Sequence, residues 1–284
     1  MPPRENPTAR QVRLGVELRK LRERAGRTAR EAAAMLGTDQ GKISHIESGR
    51  IGVSEERIRR LAAFYECTDE ALLSALCAMA RERRGQFWWD EYRGKLAPRY
   101  LDIAELEHHA VGLRSMQTVT IPGIFQTEDY ARALSEQSVP PVDPEEARMR
   151  VEFRMRRKVL LERPEPPPMN FFVHEAALRM RFGGRRVTRG QLAYLMEASQ
   201  RPHVSLRVVP FTNETFFEMT QPVLYADGVV EQLDTVEIDG PLGGHYLYSD
   251  SDLATYREFF RYADTVALDQ HESRMLIHHI AREL

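Results

Sequence analysis

Gln40, Gly41, Lys42, Ser44 and His45 fall within six positions, and four of the five carry side chains that donate or accept hydrogen bonds. A glutamine amide can bond an adenine edge at two points, and a lysine can meet guanine or a phosphate. Serine and histidine can reach either. Gly41 in the first turn of a helix costs about 1 kcal/mol of propensity relative to alanine, so it reads as room for a close backbone approach. Arg13, Arg19 and Arg50 are placed to clamp phosphates, whereas Glu47 reads equally well as a structural carboxylate pairing with a nearby arginine.

These residues need a frame of short helices, and the local signals supply one. Leu14, Leu18 and Leu21 predict a first helix from Arg10 to Ala25, ended by Gly26. Thr28 and Glu31 form a capping box that opens a second helix, with Ala32, Ala33 and Leu36 inward and Gly37 as the turn. Asp39 caps the third helix, with Ile43 and Ile46 inward. Ser54 caps a fourth, and a fifth runs from Asp69 to Met79. Two short helices joined by a glycine turn, the second polar outside, are what a helix entering the major groove requires.

Leu18-Arg19-Lys20-Leu21-Arg22, Ala25-Gly26, Ala33, Leu36-Gly37, Gln40, Ile43-Ser44, Ile46-Glu47 and Gly49-Arg50 resemble the lambda-repressor-like (XRE) helix-turn-helix family over about residues 12–76. The resemblance implies a five-helix DNA-binding domain in which Gln40 reaches DNA. The family usually has glutamine directly after the second helix's cap, where it contacts a phosphate. Ala29 stands there in this chain, and Arg30 is a candidate substitute.

The chain has 284 residues and a formal net charge of −2, with only two cysteines, too few for a disulfide framework. Residues 1–84 hold 17 Lys and Arg against 12 Asp and Glu, while the remainder holds 23 against 30. A basic first domain on an acidic body fits a DNA contact at one end. No apolar run has membrane-spanning length and no signal-peptide core is present, so a cytoplasmic protein with no membrane partner is expected.

The predicted organisation is a disordered arm over 1–9, a helix-turn-helix domain over 10–80, a helical linker over 81–100, and an α+β regulatory and dimerisation domain over 101–284. In the linker, adjacent Trp88 and Trp89 either divide between their own chain and a boundary or both anchor the second domain's core. Beyond it the pattern predicts a helix over 102–114, an extended stretch over 116–121, a helix capped by Thr127, and a long basic helix from Asp143 to Arg163. Strands follow over 170–174 and 204–210, with helices over 175–181 and 188–199 between them. A hairpin turns at Asp227-Gly228, with arms over 221–226 and 229–238, and residues 244–248 form one more strand. Helices over 251–267 and 269–282 close the chain.

Leu106-Glu107, Pro122-Gly123, Gln126-Thr127, Tyr130-Ala131, Arg154, Arg157, Glu175-Ala-Ala-Leu178, Gln191-Leu192 and Val208-Val-Pro210 resemble the Scr1-type antitoxin-like C-terminal domain of WhiJ-like actinobacterial regulators. Departures are Ile124-Phe125 for the family's Leu-Leu and Lys158 for its frequent Gln. The resemblance implies a transcriptional regulator paired with a small partner protein.

Catalytic patterns are missing. His174-Glu175 lacks the second histidine of a zinc-protease helix, because position 178 is Leu. The tandem pairs His108-His109 and His278-His279 cannot face one metal from the same side, and no Gly-x-Ser-x-Gly elbow or phosphate loop occurs. No cofactor and no enzyme activity are expected. Arg150, Arg154 and Arg157 lie on one helical face, which either binds an anionic ligand or acidic partner or is paired within the domain. The expected function is sequence-specific regulation, by repression, as a homodimer on double-stranded DNA. The alternatives are an antitoxin-like protein that sequesters a small partner and uses DNA binding for autoregulation, and a ligand-gated sensor or nucleotide-processing enzyme.

Overall fold

The computed structural model describes residues 3–82, 85–215, 221–240 and 243–284. Five helices make the first domain: α1 (Ala9–Arg24), α2 (Ala29–Leu36), α3 (Gln40–Glu47), α4 (Glu55–Phe64) and α5 (Glu70–Arg81). Each begins on a polar side chain that accepts from a backbone N–H in the first turn: Thr8, Thr28, Asp39, Ser54 and Asp69. Leu18, Ala32, Ile43, Ile58, Leu61 and Leu76 share its buried core.

The second domain carries a six-stranded sheet of order β3-β2-β1-β4-β5-β6. Its strands are β1 (Gly112–Gln117), β2 (Met169–His174), β3 (Val204–Val209), β4 (Val223–Asp227), β5 (Thr235–Ile238) and β6 (His245–Leu247). β1, β2 and β3 run parallel, and β4, β5 and β6 are added antiparallel. The parallel part needs helical crossovers, supplied by α7 (Glu128–Glu136) and α8 (Pro144–Arg156), then by α9 (Glu175–Arg179) and α10 (Gly184–Ala198). α6 (Pro98–His109) precedes the sheet, and α11 (Asp250–Val266) and α12 (Gln270–Glu283) close the chain.

Alternate side chains of the strands enter two separate cores, which is why residues 169–173 are an almost unbroken apolar run. Phe171, Val173, Leu206, Val208 and Leu224 pack with Leu192, Leu195 and Ile277 on one face. Phe172, Val209, Tyr225 and Val236 pack with Leu253, Phe260 and Ala263 on the other.

Several expectations shift. The helix expected over 102–114 starts earlier, with Pro98 at its first position, and ends at His109. β1 therefore begins at Gly112, ahead of the extended stretch expected over 116–121. The helix expected to reach Arg163 becomes a 3-10 turn from Arg157 to Glu162, which sends Leu160 and Leu161 into the core. There is no tight hairpin at Asp227-Gly228. Residues 228–234 form a loop with a short 3-10 turn, Glu231–Leu233, and Asp234 accepts from the Gly228 N–H at 2.9 Å and the Tyr225 hydroxyl at 2.6 Å.

The expected helical linker is instead a packed corner of the second domain. Trp89 is buried, Trp88 packs beside it, and both join Tyr92, Leu101 and Phe153 in one aromatic cluster. Both tryptophans thus anchor the second domain's core. The expected disordered arm is likewise attached over its described residues. The Arg4 N–H donates to the Arg50 carbonyl at 2.8 Å, its guanidinium donates to the Gly49 carbonyl at 3.0 Å, and Thr8 is buried as the cap of α1.

The two domains meet over a broad contact. Leu233 inserts into the first domain's core, and Val230 packs against it. The Gln232 amide donates to Asp69 at 2.8 Å. Asp250, in the first turn of α11, accepts from Lys20 at 2.9 Å and from Arg24 at 2.6 Å.

Candidate DNA-binding interface

The turn between α2 and α3 is built from local chemistry. Thr28 Oγ1 accepts from the Glu31 N–H while Glu31 Oε2 accepts from the Thr28 N–H at 2.7 Å. That backbone bond holds the Glu31 carboxyl below the usual carboxylate range. Gly37 ends α2 at φ 65°, a left-handed conformation that costs glycine little. Asp39 Oδ1 then accepts from the Lys42 N–H at 2.8 Å and starts α3.

α3 is fixed to α1 by contacts that only glycine permits. A Cβ on Gly15 would lie 2.5 Å from the Glu47 carbonyl oxygen. One on Gly49, which also has φ +73°, would lie 2.8 Å from the Gln11 backbone. Arg22 closes the joint, donating to both carboxylate oxygens of Glu47 at 2.6 and 3.0 Å and to the Arg27 carbonyl at 2.8 Å. The bond to Glu47 raises the Arg22 pKa. Glu47 is therefore a structural carboxylate.

With Ile43 and Ile46 inward, the outward face of α3 is centred on Gly41 and flanked by Gln40 and Ser44 on one side and His45 and Lys42 on the other. Gln40, Gly41 and Ser44 are exposed, Lys42 and His45 half-buried. The Ser44 hydroxyl donates to the Gln40 carbonyl at 3.2 Å, leaving its oxygen lone pairs outward. A Cβ on Gly41 would meet only Asp39 Oδ1, at 3.1 Å, so nothing in the fold's own packing calls for glycine there. Arg30 and Arg50 are exposed and, with Lys42, make no ion pair among the described residues. The arm through Arg4 supports the backbone on either side of Arg50.

The other two candidate clamps differ. Arg19 is exposed and paired with Glu23 at 2.7 Å. Arg13 is not available to a phosphate. It is 4% exposed, pairs with Glu17 at 3.0 Å, donates to the Gln232 carbonyl and lies over the Tyr248 ring. Its side of α1 is covered by the second domain, which the periodicity of α1 alone does not register.

Arg150, Arg154 and Arg157 do not form an open basic face. Arg150 pairs with Glu146 at 2.6 Å, and Arg157 pairs with Glu107 through two bonds of 2.6 and 2.8 Å. Arg154 donates to Gln126 Oε1 at 3.1 Å. The residues sequence reasoning missed are Gly15 and the loop residues Gln232 and Leu233. Gly15, a glycine inside a strongly helical segment, was the one local signal of a close approach.

Residues 13–76 match the helix-turn-helix domain family, and residues 100–279 match a family described as a domain of unknown function, DUF5753. No curated protein and no solved structure matches the chain. No helix among the described residues is long and apolar enough to cross a membrane. The DUF5753 match covers more than half of the sequence, so the chain belongs to the DUF5753 family, with a helix-turn-helix DNA-binding domain preceding that domain.

Proposed function

We propose that the protein is a sequence-specific transcriptional repressor of the WhiJ-like kind, cytoplasmic and without catalytic activity, acting as a homodimer on two half-sites. The observation that carries this reading is the outward face of α3, where Gln40, Lys42, Ser44 and His45 surround a glycine with no packing reason to be there. Gln40 and Lys42 read base edges, and Arg30 and Arg50 hold phosphates. One such helix reads only a few base pairs, so two copies about 34 Å apart are needed for useful selectivity.

The second domain supplies the dimer contact and the regulatory input, a small ligand or a partner protein. Internal pairing of Arg150 and Arg157 favours a ligand over an acidic partner docking on that helix. The test is fluorescence anisotropy of the full chain on the DNA upstream of its own gene against a shuffled control, across a salt series. The proposal expects preference for the native DNA, a steep loss of affinity with salt, and a two-to-one protein-to-site stoichiometry. Equal affinity for both DNAs at every salt concentration would refute it.

A further inference from the structure

The second domain holds a cleft-like cavity of about 310 Å³, open on one side, between the sheet and helices α6, α7 and α8. Its walls bring together residues from seven separate stretches of sequence, Glu107, Gly123, Gln126, Arg154, Arg157 and Glu237 among them. A volume of this size suits a small molecule.

The charges in its lining are incompletely matched. Arg157 is satisfied by Glu107, and Gly123 makes room for it, since a Cβ there would lie 2.9 Å from the guanidinium. Arg154 has one neutral partner, Gln126 Oε1. That amide is locked because its NH2 donates to the Ile121 carbonyl at 2.7 Å. No carboxylate lies within ion-pair distance of Arg154 among the described residues. Burial and the neighbouring Arg157 push its pKa down to about 10.

Across the same cavity, Glu237 is 8% exposed, and its side chain makes no hydrogen bond or ion pair among the described residues. Asp239, two residues along and on the same side of the chain, is exposed at the cavity's rim. Among the described residues its carboxylate accepts a backbone bond from Gly240, and the charges of Arg154, Arg157 and Arg99 favour its ionised form. Burial first, and then the adjacent Asp239, push Glu237 up to about 8. The Arg154 guanidinium, the buried Glu237 carboxyl and the exposed Asp239 carboxylate at the rim thus line one cleft without an ion pair between them among the described residues. Desolvating the Arg154 guanidinium without a carboxylate partner costs stability; a ligand's anionic group offsets that cost, and its amine favours ionised Glu237.

We propose that this cavity binds a small zwitterion, its anionic group held by Arg154 and its amine held between Glu237 and Asp239. The free α-amino acids are the simplest members of that class. The proposal rests on the reading that the second domain takes a ligand, and it names the ligand's chemistry.

The site also has a route to the first domain. Glu237 is four residues from Leu233, which is packed in the helix-turn-helix core, and β6 leads directly into Asp250, which holds Lys20 and Arg24 of α1.

The experiment measures melting temperature of the full chain, without DNA, in millimolar concentrations of each common α-amino acid, β-alanine and γ-aminobutyrate. The matching N-acetyl acids and amino amides, each lacking one charge, serve as controls. At least one zwitterion should raise the melting temperature by about 3 °C or more, and neither of its one-charge analogues should do so. Calorimetry with that zwitterion should then give at least about tenfold weaker binding for Glu237→Gln, which cannot ionise beside the ligand's amine and preserves shape, and for Arg154→Met. Each variant's own melting temperature reports whether it is folded. The proposal is overturned if no zwitterion shifts the wild-type protein, if a one-charge analogue binds as well, or if folded Glu237→Gln binds undiminished. Because DNA is absent, these outcomes are independent of whether the protein recognises an operator.

Discussion

Arg22 and Glu47 join through two parallel hydrogen bonds of 2.6 and 3.0 Å, linking the end of α1 to the end of α3. Both side chains are about nine-tenths buried, so removing either one strands the other's charge. Arg22→Ala and Glu47→Ala should each destabilise the first domain by about 2–4 kcal/mol in urea unfolding, and the double variant should lose less than the sum. Additive losses would mean that the pair does not hold the helices together.

Gly15 and Gly41 predict opposite outcomes for the same substitution. Gly15→Ala pushes a methyl into the α3 backbone and should cost about 2–3 kcal/mol or more. Gly41→Ala meets only a movable Asp39 oxygen and should gain about 0.5–1 kcal/mol, because alanine is the better helix former. If the outward face of α3 approaches DNA closely, Gly41→Ala should nonetheless weaken DNA binding. A variant more stable and bound equally well would remove the role given to this glycine.

Leu233 carries the contact between domains. Leu233→Ala leaves a hole in the first domain's core and should destabilise it by about 2–4 kcal/mol. Hydrogen exchange should show α1 and α5 losing protection more than the strands of the second domain. Uniform loss across the chain would mean that the loop does not couple the two domains.

The helix-turn-helix was legible because its signals are local. The Thr28–Glu31 box, Gly37 and the Asp39 cap act within four residues, and Ile43 and Ile46 mark the inner face by spacing alone. Arg13 was misread because exposure on α1 is set by a loop more than two hundred residues away. The Asp227-Gly228 turn failed for a related reason. Gly228 is a good hairpin residue, but here it admits the Leu233 backbone, which would lie 2.7 Å from an added Cβ. Helical spacing grouped Arg150, Arg154 and Arg157 correctly, yet it could not show that Glu107 and Gln126 would turn two of them inward.

Buried titratable groups set opposing pH slopes. Burial keeps His108 down at about 4 and His109 at about 3, so stability is lost as pH falls from about 6.5 through those values. Burial holds Glu237 up at about 8 and Glu105 at about 7, so their contribution is present below about 4.5 and is lost as pH rises through 7 and 8. The two effects oppose each other between about pH 4.5 and 6.5, and only the carboxyls act above that. The groups facing Glu237 are Asp239 and Glu107, which raise its pKa, and Arg157, which lowers it. Melting temperature should therefore fall from pH 6.5 to pH 8, and Glu237→Gln should flatten that fall. An unchanged slope would contradict the environment assigned to Glu237.

The most direct test of the account compares the wild-type chain with the Gln40→Ala, Lys42→Ala double variant on the upstream DNA and on shuffled DNA at two salt concentrations. Both side chains lie on the accessible side of α3 and neither belongs to the core, so circular dichroism and melting temperature should be unchanged. The account predicts that the preference for upstream DNA collapses by about a hundredfold or more while weak, salt-sensitive binding remains. A folded double variant that keeps the full preference would show that α3 is not the reading helix.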